Sequence, residues 1–125
     1  MDRKLQDSLS KIKLLICDID GVLTDGSFIK STSGDELRSF NALDGVGFVM
    51  LRLLNLNIKT AWITGRESLT TTQRAEELQI DDVYNGVIRK IDAYDELKKK
   101  YGVLDNEVCF IGDDIIDIPI LEKVG

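Results

Sequence analysis

The stretch Lys13-Leu14-Leu15-Ile16-Cys17-Asp18-Ile19-Asp20-Gly21 decides the fold. Its apolar run at 13–17 shows no polar alternation, so it reads as a central parallel strand covered on both faces. The run stops at two aspartates and a glycine. The same punctuation recurs downstream: residues 58–63 are followed by Thr64-Gly65-Arg66, and residues 107–111 by Gly112-Asp113-Asp114. Between these runs lie helical patterns. Val46, Val49, Met50, Leu53 and Leu54 form a stripe at i, i+3, i+4, i+7 and i+8, which predicts a helix over 44–55. Further helices are expected over 68–78, 91–101 and 117–123, and a short strand over 82–84. Strands alternating with helices indicate βαβ units, hence an α/β fold of the Rossmann type with a doubly wound parallel sheet. Residues 24–40 differ in character. Ser27-Phe28-Ile29 and Leu37-Arg38-Ser39-Phe40 flank the turn chemistry of Ser31-Thr32-Ser33-Gly34-Asp35, which predicts a β-hairpin.

Composition narrows the chemistry. The chain has 125 residues, 43% of them apolar and 30% charged, with a net charge of −6. That length suits one domain, and surface scaling gives roughly 6,700 Å² exposed when folded, with about two-thirds of the open chain's surface buried. The 22 acidic residues against 16 basic ones argue against a nucleic-acid partner, which needs a basic face. Lys98-Lys99-Lys100 reads as the solvated end of a helix, where cations suit the macrodipole. Histidine is absent, which removes Ser-His-Asp and Cys-His nucleophile systems and histidine-containing zinc sites. Cys17 and Cys109 each sit in an apolar run and read as buried thiols of a reduced compartment. No apolar segment is long enough to span a membrane, and residues 1–11 lack a signal peptide's apolar core, so a cytoplasmic location is expected.

The polar clusters carry the functional argument. Ligands of an open parallel sheet bind outside the carboxyl ends of its strands. Acids, a hydroxyl and a guanidinium therefore converge at one edge. Taken singly, Asp-x-Asp is a turn or cap, Thr-Gly-Arg a strand exit, Lys90 a solvated lysine and Gly112-Asp113-Asp114 an ordinary loop. Together they describe a shared site, and so many carboxylates need a counter-charge. An oxygen-rich set of this kind suits Mg²⁺ with phosphate and water.

The order Asp18-Ile19-Asp20-Gly21-Val22-Leu23-Thr24-Asp25-Gly26, Thr64-Gly65-Arg66, Lys90 and Gly112-Asp113-Asp114-Ile115-Ile116-Asp117 resembles the haloacid dehalogenase (HAD) superfamily of phosphatases. More narrowly, Phe40-Asn41-x-x-Asp44-Gly45-x-Gly47 and Asp117-Ile118-Pro119 are similar to the family of 3-deoxy-D-manno-octulosonate 8-phosphate (KDO 8-phosphate) phosphatases. The likeness runs from about residue 11 to residue 125. It implies Asp18 as the nucleophile that forms an aspartyl-phosphate, and Asp20 as the acid and then base. It implies Mg²⁺ held by Asp18, the Asp20 carbonyl and Asp113, with Thr64 and Lys90 on the phosphoryl oxygens. Asp114 and Asp117 would orient metal waters or Lys90. Asn41, Asp44, Gly45, Arg66 and Arg74 would face the phosphorylated sugar acid, the two arginines pairing with its carboxylate. Taken from the residues alone, Arg74 is a surface residue paired with Glu77 at i+3.

The hairpin at about 23–40 resembles the flap of the family's cap-less branch, which implies a homotetramer with hairpins packed into a barrel. Phe28, Ile29, Leu37 and Phe40 are the apolar surface expected there. The family continues several dozen residues past Gly125, so the chain is expected to be C-terminally short and to lack a fifth strand. The activity so implied is Mg²⁺-dependent hydrolysis of KDO 8-phosphate in lipopolysaccharide precursor synthesis. Leu43 and Val49 stand where the family often has basic residues, which keeps a nine-carbon sialic-acid-type 9-phosphate as the alternative substrate. A catalytically weak oligomerisation module ranks below both. A phospho-receiver domain fits less well, because its phospho-acceptor follows the third strand.

Overall fold

The computed structural model describes residues 1–125. Helix α1 (Arg3–Leu9) comes first, capped by Asp2 and with no residue buried; the scattered leucines of this segment signalled no element. In chain order there follow β1 (Leu14–Cys17), β2 (Ile29–Lys30), β3 (Glu36–Leu37), α2 (Ala42–Leu53), β4 (Lys59–Thr64), α3 (Leu69–Leu78), β5 (Asp82–Asn85), α4 (Lys90–Tyr101), β6 (Val108–Ile111) and α5 (Ile118–Leu121). Four strands form a parallel sheet in the order β5-β4-β1-β6. The chain builds outward from β1 to β4 to β5 and then returns to add β6 on the opposite side of β1. That reversal opens a crevice at the carboxyl ends of the central strands. No helix is long and apolar enough to cross a membrane.

Strand pleating divides the core into two layers. Leu14 and Ile16 of β1, Ala61 and Ile63 of β4, and Val108 and Phe110 of β6 point to one face, where they meet Ala93, Tyr94 and Leu97 of α4 and Ile120 of α5. Cys17 and Trp62 point to the other, against Phe48 of α2 and Ala75 and Leu78 of α3. The sheet is therefore covered on both sides, as its near-continuous apolar strands require. Each large side chain so buried stabilises the fold by roughly 1.5–3 kcal/mol relative to an exposed one.

Three sequence expectations are corrected. First, α2 packs through Gly45, Phe48 and Leu51, while Val46, Met50, Leu53 and Leu54 face outward. The helix is apolar nearly all round, so periodicity admits two faces. Gly45 marks the face that turns inward: a Cβ there would lie 2.7 Å from the tip of the Arg74 side chain and 3.2 Å from Leu78, so α2 meets α3 closely at this point. Second, the hairpin strands pair over two residues each, Ile29 with Leu37 and Lys30 with Glu36. Phe40 leaves the hairpin's apolar surface and stacks on Trp62 with centroids 6.4 Å apart. Third, the final segment is a 3-10 turn at Ile115–Asp117 followed by a one-turn helix, α5. The lysine run is also less free than its composition suggests: Lys98 pairs with Asp105, and Lys100 pairs with Asp82 at 2.5 Å.

Candidate active site

Asp18 follows β1, and its backbone N–H donates to the Ile111 carbonyl at 2.9 Å, extending the ladder with β6 by one residue. The chain then coils tightly. The Ile19 carbonyl accepts from the N–H groups of Val22, Leu23 and Thr24 at 2.9–3.2 Å, and Gly21 sits at φ +91°. The Thr24 hydroxyl accepts from the N–H groups of Gly21 and Gly26, which ties the turn together. This coil places the Asp18 and Asp20 side chains on one cavity of about 300 Å³, which Thr64, Arg66, Lys90 and Asp114 also line.

Lys90, the first residue of α4, is the electrostatic centre. Its side chain is 1% exposed, and its Nζ lies 2.8 Å from Asp18 Oδ1 and 2.6 Å from Asp117 Oδ1. The second Asp117 oxygen accepts from the N–H groups of Asp113 and Asp114 at 3.1 and 3.0 Å. Both Asp117 oxygens are thereby engaged, one with Lys90 and the other with the loop after β6. Burial pushes the Asp18 carboxyl above the ordinary carboxylate range, while the hydrogen bond and charge of Lys90 pull it back. Asp114 caps the 3-10 turn through the Ile115 N–H at 2.6 Å.

One carboxylate oxygen from each of Asp18, Asp113 and Asp117 lies within 4.8 Å of the others, an all-oxygen donor set of the kind a hard cation takes. Asp113 reaches this cluster across the Gly21 backbone, where a Cβ would fall 1.8 Å from its Oδ2. Asp18 keeps one oxygen clear of Lys90, whereas both Asp117 oxygens already accept hydrogen bonds. The residues present fit a divalent cation on Asp18 and Asp113.

Of the substrate-facing candidates, only Arg66 reaches this cavity. Asn41 caps α2 through the Leu43 N–H at 2.8 Å, and with Asp44 it lines a separate cavity of about 420 Å³ beside Leu23 and Phe40. Gly45 is the α2–α3 contact, and Arg74 makes the i,i+3 pair with Glu77 at 3.0 Å. Sequence reasoning missed Thr24, Glu36 and Arg38. Arg38 grips Asp20 (Nε–Oδ1 2.7 Å, Nη2–Oδ2 3.3 Å), and Glu36 lies between Arg38 and Arg66. The signal available was an alternation of charge, Glu36-Leu37-Arg38, along the second arm of the expected hairpin.

A parallel sheet with Asp-x-Asp-Gly after β1, a threonine at the end of β4, a buried lysine and a late pair of aspartates defines an α/β domain of the haloacid dehalogenase type. Among solved structures, the KDO 8-phosphate phosphatase of Yersinia pestis superposes with a TM-score of 0.94 at 38% identity, over 100% of this chain and 66% of that one. The enzyme from Moraxella catarrhalis, solved with magnesium, phosphate and KDO, gives 0.93 at 34% identity, over 100% of this chain and 71% of that one. The chain belongs to the KDO 8-phosphate phosphatase family of the HAD superfamily. The KDO 8-phosphate phosphatase KdsC of Salmonella typhi is 41% identical over 114 residues, which are 91% of this chain. The chain spans 60% of the length of that curated relative. No protein-family model matches it.

Proposed function

We propose that the chain is a single phosphatase domain that hydrolyses the phosphate monoester of a sugar acid, KDO 8-phosphate, with Mg²⁺ as cofactor. The observation that carries this is the buried Asp18–Lys90–Asp117 triplet opening on a cavity that Thr64 and Asp20 share. Membership of a family in which a relative was crystallised with magnesium, phosphate and KDO supports the choice of substrate.

In this reading Asp18 attacks phosphorus in line, forming a P–O bond to its carboxylate while the bond to the sugar oxygen breaks. Asp20 gives its proton to the departing oxygen. It then takes a proton from water as that water attacks the aspartyl-phosphate, releasing inorganic phosphate and restoring Asp18. Lys90 and Thr64 hold the non-bridging oxygens, and Asp117 fixes Lys90. Arg66 faces the sugar acid's carboxylate from the cavity rim. Bound at Asp18, Asp113 and the Asp20 carbonyl, Mg²⁺ would supply charge neutralisation between nucleophile and phosphate.

Phosphate release from KDO 8-phosphate, beside a nine-carbon sialic-acid 9-phosphate and with Mg²⁺ or chelator, tests the reading. Mg²⁺-dependent release from the eight-carbon ester is expected. Asp18→Asn should lose more than about 10³-fold while its circular dichroism is unchanged. Preference for the nine-carbon ester would reassign the substrate; release that survives both chelator and Asp18→Asn would overturn the mechanism.

We further infer a homotetramer, supported by Ile29 and Leu37, which stand 68% and 56% exposed on the hairpin. A cytoplasmic location is supported by two cysteines that remain unpaired.

A further inference from the structure

Arg38 and Glu36 lie outside the phosphoryl-transfer set, yet they bound it. Arg38 follows β3, and its side chain is only 1% exposed. A guanidinium at that depth is tolerated only when its charge is met. Two carboxylates meet it: Asp20 accepts hydrogen bonds from Nε and Nη2, and Glu36 Oε1 stands 3.0 Å from Nη1 as an ion pair without hydrogen-bond geometry. The other Glu36 oxygen lies 3.2 Å from Arg66 Nη1, and the Arg66 guanidinium lies 3.9 Å above the Phe28 ring. Four alternating charges therefore run from Asp20 through the hairpin to the cavity rim.

We propose that Arg38 is the positioning residue for Asp20, with Glu36 as its strut; this rests on the phosphatase reading above. Asp20 stands one residue before Gly21, whose positive φ belongs to a tight coil rather than a strand or helix. Nothing in that coil fixes the plane of the Asp20 carboxyl, whereas a two-pronged guanidinium does. The hairpin that carries the guanidinium has strands of only two residues and is marginal without tertiary contacts. One ion chain thus seats the hairpin and aims the acid/base group.

The test compares Arg38→Gln, Arg38→Lys and Glu36→Gln, with Arg38→Gln also made in an Asp20→Asn background. Substrates are KDO 8-phosphate, whose sugar oxygen needs a proton to leave, and p-nitrophenyl phosphate, whose phenolate does not. Arg38→Gln is expected to lower kcat on the sugar ester by about 10–100-fold with KM within about twofold, and to lower aryl turnover less. Arg38→Lys should restore part of the loss. In the Asp20→Asn background, Arg38→Gln should cost less than about twofold in residual aryl turnover. Urea unfolding of the same four-member cycle reads the contact without substrate and is expected to be non-additive.

Additive losses in both cycles, equal losses on both substrates, or an unaffected Arg38→Gln overturn the assignment. If Arg38→Gln does not fold, Arg38→Lys and Glu36→Gln carry the same comparison. A wild-type chain that turns over neither ester with Mg²⁺ overturns the phosphatase reading and this inference together. Normal wild-type turnover with an indifferent Arg38 overturns this inference alone.

Discussion

Gly21 is the residue with the least latitude in the site. Its φ of +91° is strained for any side chain, and a Cβ would fall 1.8 Å from the carboxylate of Asp113. Gly21→Ala is therefore expected to displace Asp113, abolish phosphate release and cost about 1–3 kcal/mol of stability in urea unfolding. Wild-type activity in that variant would mean that Asp113 does not need its place over the turn. The family resemblance set Asp113 beside Asp18 on the metal, but its close passage over the backbone of Gly21, 92 positions earlier, emerges only in the fold. Lys90 shows the same divide. Read singly it is a solvated lysine, and only the fold seats it between Asp18 and Asp117. Cys17 behaves as the apolar run around it suggests: it is buried, and burial pushes its thiol up to about 12.

Among the elements, strands were easier to read than helix faces. A strand buried on both sides needs only an apolar run, which β1 carries throughout and β4 over Ala61, Trp62 and Ile63. The inward face of α2 depended on its neighbour, because Gly45 and Arg74 meet only once α3 is in place. Helix α4 shows how a surface pair closes a unit. Asp105, in the 3-10 turn before β6, accepts from the Tyr94 hydroxyl at 2.6 Å and from Lys98. Those two partners hold its carboxyl below the usual range, Lys98 first. A depressed carboxylate stabilises the fold above its unfolded value and loses that effect as pH falls through its folded one. The stability gap between the wild type and Asp105→Asn should therefore be open at pH 7, at under about 1 kcal/mol for so exposed a pair, and close toward pH 2. Urea midpoints across that range check it. A gap that widens on acidification would contradict the pairing.

At the scale of the whole molecule, the accessible surface is 7,833 Å², against the roughly 6,700 Å² that its mass predicts for a compact monomer. Large apolar side chains stand exposed: Ile29 and Leu37 on the hairpin, Val46, Met50 and Leu53 on α2, and Leu54 at its end. Surfaces of that kind mark contacts with other chains. Sedimentation should report a tetramer at micromolar concentration, and the double substitution Ile29→Asp with Leu37→Asp should shift it to smaller species. A monomer in the unsubstituted chain would remove the assembly from the proposal.

The alternation of strand and helix, the parallel sheet, and the Asp18-x-Asp20, Thr64 and Asp113-Asp114 clusters at its carboxyl edge follow from neighbouring residues. Apolar runs and the polar residues that end them are properties of short segments, and the direction of a parallel strand then carries every such ending to one edge. Depth and partnership are decided across the chain. Asp20 finds Arg38 eighteen residues away, Lys90 finds Asp117 at twenty-seven, and the choice between two apolar faces of α2 waits for α3. Such contacts depend on which elements become neighbours once both faces of the sheet are covered, and the identity of a charged residue does not reveal whether packing will leave it in water or enclose it with its counter-ion.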